Sequence, residues 1–282
     1  MSRTVYVNGA YLPEEDAKVS VFDRGFLFAD GVYEVSTVLE GRLIDNDAHL
    51  VRLQRSLNEL QMNSPVSMDE IVGIQNELIK RNDLKEGGLY LQVTRGAADR
   101  DFAFPKDATP TLVMFTQEKN LLNSPAAEKG ISVISVEDIR WGRRDIKTVG
   151  LLAPALAKQA AVVAGVDDAW LYEDGYVTEG SSNNAYIITK AGTIVTRNLG
   201  NEILHGITRR AVLALANEAD MEVEERAFTL DEAHDAAEAF VTSATTFVTP
   251  VVSLDGKAIG DGKPGPLAKR LRQFYIKQAL AS

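Results

Sequence analysis

Strand-like and helix-like segments alternate along this chain without a strict β-α-β rhythm, and that irregularity narrows the possible folds more than any other feature. A doubly wound parallel sheet needs a helical crossover between neighbouring strands. Here the chain opens with strand and turn signals crowded together: Val5 to Val7, the turn Asn8-Gly9, then Val19 to Phe22. Gly31 to Leu39 is β-rich and closes at Glu40-Gly41, a hairpin-like turn. Two helices follow. Leu50, Leu53, Leu57 and Leu60 recur at helical spacing in the first, with Arg52 and Arg55 on its other faces. The second starts at Ser67 with Glu70 three residues on, a capping box, and runs towards Ile79. Tyr90 to Thr94 and Thr111 to Thr116 read as strands. The expected fold is mixed α/β, with a mixed sheet or partial barrel rather than a doubly wound one.

At 282 residues the chain is long for one hydrophobic core and comfortable for two. Asn120 to Lys129 (N-L-L-N-S-P-A-A-E-K) breaks the pattern with Asn, Ser and Pro and is expected to be a linker. The expected division is therefore 1–119, a connector at 120–129, and 130–282. Beyond the connector, Ile131 to Val136, Ala169 to Tyr172, Ala185 to Thr189, Val223 to Phe228 and Phe240 to Thr242 read as strands. Leu151 to Ala164, Ile207 to Ala219 and Gly265 to Ala281 read as helices.

The net charge of −10 argues against a nucleic-acid or anionic-membrane partner, so an anionic ligand must be captured by locally placed Arg, Lys or backbone N–H groups. Without cysteine there are no disulfides, zinc thiolates, iron–sulfur clusters or cysteine nucleophiles, and three histidines make a histidine-rich metal site a poor expectation. The N-terminal M-S-R-T-V-Y-V-N-G-A is too polar for a secretory leader and no apolar run reaches membrane-span length, so a cytoplasmic protein is expected.

Lys147 closes R-W-G-R-R-D-I-K-T, behind Arg140, Arg143 and Arg144. Neighbouring positive charge and partial burial disfavour an ammonium and free the lone pair, which suits a Schiff-base nucleophile and proton shuttle. Taken singly, it reads as a surface lysine beside Asp145. Glu179, in V-T-E-G-S-S-N-N, could hold a proton on a ring nitrogen, or could be a turn-forming acid. Gly206-Ile207-Thr208 opens a helix whose first N–H groups and threonine hydroxyl form a ready phosphate site. T-S-A-T-T at 242–246 follows a buried strand, and its small residues would let backbone N–H groups approach a ligand. Arg52, in H-L-V-R, could clamp a phosphate bidentately or sit as a solvated charge. Arg100, in R-G-A-A-D-R-D-F-A-F-P, could meet a substrate carboxylate or pair with Asp99 or Asp101.

The order of these motifs is more specific than any one of them. D-R-G-F-L-F-A-D-G-V-Y-E at 23–34, H-L-V-R, R-W-G-R-R-D-I-K-T, V-T-E-G-S-S-N-N, L-H-G-I-T-R at 204–209 and T-S-A-T-T-F-V-T-P-V at 242–251 follow one another across nearly the whole chain. This series resembles the class IV (fold type IV) pyridoxal-phosphate aminotransferases, most closely the D-amino-acid transaminases. The resemblance implies an N-terminal α/β sandwich and a C-terminal pseudo-barrel, with pyridoxal 5′-phosphate between them, in a homodimer. It implies that Lys147 carries the cofactor, Glu179 partners its ring nitrogen, Leu204 packs on its ring and Arg140 lies near its phenolic oxygen. Arg52, Gly206, the Ile207 and Thr208 amides, and Ser243, Ala244 and Thr245 would hold the phosphate. Ala244 departs from the family's usual threonine, leaving backbone donation and Thr245.

Tyr33 stands where D-amino-acid transaminases use a tyrosine in the carboxylate-binding wall, and Arg100 where they use an arginine. Phe102 replaces their histidine, which keeps one charged carboxylate contact and removes a polar one. The resemblance implies ping-pong transfer from a D-amino acid such as D-alanine to 2-oxoglutarate or pyruvate, with some tolerance of (R)-primary amines. A branched-chain L-amino-acid aminotransferase, an (R)-amine transaminase or an aminodeoxychorismate lyase would use the same scaffold. A cofactor-binding or regulatory protein without turnover is the alternative from another class.

Overall fold

The computed structural model describes residues 2–281, and the chain divides into two compact units. One runs to Asn120 and includes the strip Ile146–Gly150; the other comprises Leu121–Asp145 and the chain from Leu151 onward.

The first unit contains β1 (Thr4–Val7), β2 (Ala10–Pro13), α1 (Arg24–Phe28), β3 (Gly31–Leu39), β4 (Arg42–Ile44), α2 (Asn46–Glu59), α3 (Met68–Arg81), β5 (Glu86–Thr94) and β6 (Thr111–Glu118). Its sheet has the order β2-β1-β6-β5-β3-β4 and is antiparallel throughout. Hairpin β3–β4 turns at Glu40 and Gly41, both at positive φ, as the expected tight turn requires. The period of two along β3 buries Val32, Glu34 and Ser36 while leaving Tyr33 and Val35 half-buried on the opposite face. Leu50, Leu53 and Leu57 of α2 form a core with Ile71 and Leu78 of α3 and with Leu89, Leu91 and Met114 of the sheet. The capping box at α3 is formed: Glu70 N–H donates to Ser67 Oγ, and Ser67 N–H donates back to Glu70.

Two expectations change here. Val19 to Phe22 forms no strand; the segment is irregular, and Val19, Val21 and Phe22 stay exposed because no neighbouring strand covers them. Asp23 turns the chain into the short helix α1, accepting from Gly25 N–H at 2.8 Å and from the Thr94 and Thr111 hydroxyls. Arg52, expected off the leucine stripe, is buried because Glu34 lies opposite it on β3.

The second unit contains α4 (Pro125–Lys129), β7 (Ile131–Glu137), α5 (Leu152–Val163), β8 (Asp168–Glu173), β9 (Tyr176–Gly180), β10 (Asn184–Ile188), β11 (Ile194–Thr196), α6 (Ile207–Glu218), β12 (Val223–Glu225), α7 (Leu230–Asp235), β13 (Glu238–Ser243), β14 (Phe247–Leu254), β15 (Lys257–Ala258) and α8 (Pro266–Ala281). The sheet runs β12-β11-β10-β13-β14-β7-β8-β9, with β15 on β14. Parallel pairs (β11–β12, β14–β7, β7–β8) mix with antiparallel ones, as the broken rhythm of the sequence requires. The last strand of that path, β9, turns straight into β10, with Gly180 N–H donating to Asn183 O at 2.8 Å, so the sheet curls into a partial barrel. Trp170, Val177, Ile187, Val195, Phe228 and Val241 fill its core. Full burial of a side chain such as Phe228 contributes roughly 1.5–3 kcal/mol.

Part of the segment expected as a connector is ordered and packed: residues 125–129 form α4, and Leu121 and Ala127 are buried. Strands β9, β11 and β14 and helix α7 lie outside the elements expected from the sequence; being short or buried on both faces, they carry no clear periodic signal.

Candidate active site

Lys147 lies on the strip that folds back onto β3. Tyr33 N–H donates to Lys147 O at 3.0 Å, Val149 N–H donates to Gly31 O at 3.0 Å, and Thr148 bridges to Val32. Buried Ile146 belongs to the core of this unit, which anchors the strip from its other end. Lys147 Nζ stands 4.1 Å from the centre of the Tyr33 ring, which stacks in turn on Tyr90 at 5.5 Å. The two residues expected to carry the cofactor and to wall the carboxylate site are therefore backbone-paired neighbours.

Glu179 is buried in β9, not in the turn that follows it. Its carboxylate accepts from Arg140 Nη1 at 2.5 Å, from Asn184 Nδ2 at 2.9 Å and from Leu204 N–H at 3.2 Å. Burial is the larger influence and pushes the carboxyl up from its ordinary value, against the Arg140 guanidinium, which draws it down. Every one of these partners is a donor, so the geometry is built for the charged carboxylate. A carboxylate set among donors in this way fits the partner that a protonated pyridine nitrogen requires.

The three arginines ahead of Lys147 do not form the bare positive cluster that the sequence suggests. Arg140 donates through Nε and Nη2 to Asp138 as well as to Glu179, Arg143 pairs with Asp145, and Arg144 pairs with Glu173. Arg140, expected near a ring oxygen, is thus committed to holding Glu179, and opposing charge raises its own basicity. Burial pushes the Asp138 carboxyl up, but Arg140 foremost, and then the Thr178 hydroxyl that donates to it at 2.7 Å, hold it low.

Among the expected phosphate-holding residues, Gly206 is the N-cap of α6, followed by buried Ile207 and Thr208. The first N–H groups of a helix lack intrahelical partners and suit an anion. A side chain at Gly206 would be impossible without movement: a Cβ would stand 2.1 Å from Asn184 Oδ1. Asn184 binds both Glu179 and the Leu204 carbonyl, so one amide couples the acid to the approach of α6. Ser243, Ala244 and Thr245 lie half-buried at the β13–β14 turn, which is closed by a 2.8 Å bond between the Ser243 and Thr246 hydroxyls. In the first unit, Arg52 does not present an open fork. Its Nε and Nη2 donate to Glu34 at 2.8 and 2.7 Å, and His49 Nδ1 bonds the same carboxylate at 2.7 Å. Burial would push the Glu34 carboxyl up; Arg52 and His49 together hold it down at about 2.

Arg100 and Phe102 sit on an exposed loop of the first unit. Arg100 packs over the rings of Phe28 and Phe102, at 5.4 and 5.6 Å, and not against Asp99 or Asp101. The base of this loop is firm. Asp30 accepts from Arg24 Nε and Arg95 Nε at 2.7 Å each, and Arg95 lies 3.6 Å from the Phe104 ring centre.

Sequence reasoning missed Arg24, Asp30, Glu34, His49, Asp138 and Asn184. All but Asp138 lie inside the motifs named above, but their partners come from other elements, so nothing local in the sequence marked them.

The amino-transferase class IV family model matches residues 31–254. A D-alanine aminotransferase of Bacillus licheniformis is 41% identical over 95% of this chain and 94% of its own length. That of Staphylococcus haemolyticus is 38% identical over 97% and 96%. Among solved structures, the T.th. branched-chain amino acid aminotransferase, complexed with N-(5′-phosphopyridoxyl)-L-glutamate, is 28% identical with a TM-score of 0.90, covering 99% of this chain and 94% of its own. That of Escherichia coli, at 23% identity and a TM-score of 0.91 over 99% and 95%, shares the fold.

Proposed function

The chain belongs to the amino-transferase class IV family, and we propose that it is a pyridoxal-phosphate-dependent D-amino-acid transaminase, moving the amino group of a D-amino acid such as D-alanine to 2-oxoglutarate or pyruvate. The observation that carries the chemistry is the Glu179 carboxylate, ringed by the donors of Arg140, Asn184 and Leu204. The nearly full-length likeness to D-alanine aminotransferases supports D-amino acids over branched-chain L-amino acids as donors.

When bound, pyridoxal phosphate supplies an electron sink for the bonds at an amino acid's α-carbon. Lys147 would hold the cofactor through its amine and, once freed, that amine would take the proton from the substrate's α-carbon. Glu179, set among those donors, would retain the proton on the ring nitrogen. Tyr33 orients the Lys147 side chain with its ring and lines the carboxylate wall with its hydroxyl. Gly206, Ile207 and Thr208 and the 243–245 turn bind the phosphate through backbone N–H groups, Arg52 adds charge while held by Glu34, and Leu204 covers the ring. Arg100 takes the substrate carboxylate, and Phe102 lines the same wall without a polar contact.

Domains at 1–119 and 130–282, a homodimeric state and a cytoplasmic location complete the proposal. Sedimentation of the holoenzyme at twice the chain mass tests the dimer.

The yellow holoenzyme should lose its visible band with D-alanine and keep it with L-leucine; bleaching by L-leucine alone would overturn the donor assignment. With Phe102 in the wall, (R)-1-phenylethylamine should be converted slowly, and undetectable conversion beside good D-alanine turnover removes that part. Lys147→Ala should lose the visible band and at least about 10³-fold in turnover.

A further inference from the structure

The 243–246 turn is held from beneath by a single buried cation. Arg272, from the C-terminal helix α8, donates through Nη1 to the carbonyls of Thr246 at 2.7 Å and Val248 at 3.1 Å. Its Nη2 donates to Leu121 O and Leu122 O at 2.5 and 3.3 Å, tying the turn to the residues that open this unit. Among the described residues, every hydrogen-bond partner of Arg272 is a backbone carbonyl, and no carboxylate neutralises it. The other deeply buried arginines differ: Arg24, Arg52, Arg95, Arg144 and Arg209 each pair with an acid. A guanidinium taken out of water without a counter-charge is costly, and burial pushes its proton affinity down. An anion bound nearby would offset that cost.

The backbone beside it is also strained. Phe247, fully buried, has φ +58°, a left-handed conformation that an aromatic residue rarely adopts. Its ring lies 5.4 Å from the Arg272 guanidinium and 5.2 Å from the ring of Tyr275, one turn further along α8. The helix therefore fixes the end of the turn twice, through the Thr246 carbonyl and through the Phe247 ring. Thr246 is in turn bonded to Ser243, so the geometry around Ala244 and Thr245 is set from Arg272.

We propose that Arg272 is a positioning residue for the 243–246 turn and supplies the buried positive charge that the cofactor's phosphate neutralises there. This rests on the reading of the turn as a phosphate site. It also accounts for how a chain of net charge −10 holds a dianion on a turn in which no side chain is charged.

Pyridoxal, which lacks the phosphate, separates a charge effect from a folding effect. Affinities of wild type, Arg272→Met and Arg272→Lys for pyridoxal phosphate and pyridoxal are measured by titrating the stripped proteins and following the visible absorbance of the bound ring. In Arg272→Met the ratio of the two affinities should fall by about tenfold or more, the scale of losing one partly screened charge, with pyridoxal binding little changed. Arg272→Lys, which keeps the charge and loses the fork, should keep the ratio within about fivefold. A ratio in Arg272→Met within fivefold of wild type overturns the proposal. If that variant does not fold, Arg272→Lys decides alone, and a loss beyond fivefold overturns it. Wild type that binds neither compound overturns the phosphate-site reading itself, and the Arg272 role with it.

Discussion

Glu34 shows how much one buried residue decides. Its carboxylate is the shared acceptor of Arg52 and His49, and it stays ionised to about pH 2 where an ordinary glutamate would titrate near 4.5. A depressed acid contributes stability that is fully present above the unfolded value and is lost as pH falls through the folded one. Here that window runs from about 4.5 down to about 2, and the shift corresponds to about 3 kcal/mol. Glu34→Gln, which leaves Arg52 buried against a neutral amide, should destabilise the protein by roughly 3–5 kcal/mol at neutral pH. Its difference from wild type should narrow as pH drops through that window, measured by urea unfolding at a series of pH values. A difference independent of pH would mean that the ion pair is not what Glu34 contributes. The pairing itself was not legible from the chain, because Glu34 and Arg52 come from a strand and a helix whose relative register only packing sets.

At the scale of the element, helix α6 and strands β9 and β10 converge on Asn184. Its amide donates to Glu179 and to the Leu204 carbonyl, and its oxygen sits where a Gly206 side chain would begin. Gly206→Ala should displace Asn184, at a cost of about 1–3 kcal/mol in stability, and should weaken cofactor binding more than Ala at an exposed position of α6 does. Thermal unfolding and cofactor titration of Gly206→Ala and Arg210→Ala would distinguish the two; equal effects would remove Asn184 from the argument. A simpler element is α3, whose capping box was readable from Ser67 and Glu70 alone. Ser67→Ala should lower stability by about 1 kcal/mol without altering turnover. Local signals of that kind survive folding because the partners are three residues apart.

At the scale of the whole molecule, two compact units imply two cooperative cores. Both tryptophans, Trp141 and Trp170, belong to the second unit, and Trp170 is fully buried there. Denaturation of the ligand-free protein should therefore give a fluorescence transition that does not coincide with the far-ultraviolet circular dichroism transition, which reports on both units. Coincident curves would mean that the two units unfold as one.

The sequence by itself determined the mixed α/β class, the leucine face of α2, the capped start of α3, the tight turn at Glu40-Gly41 and the order of motifs that marks the family. Each depends on periodicity or on residues close in the chain, where the physics is local. Only the tertiary structure decided that Arg52 and Arg140 are committed to carboxylates and that Glu179 lies within a strand. The same holds for the seating of Lys147 against Tyr33 and for Arg272 beneath the turn near Ala244. Those facts follow from burial, which forces each charged or polar group taken out of water to find a partner, and most of those partners lie on other elements of the fold.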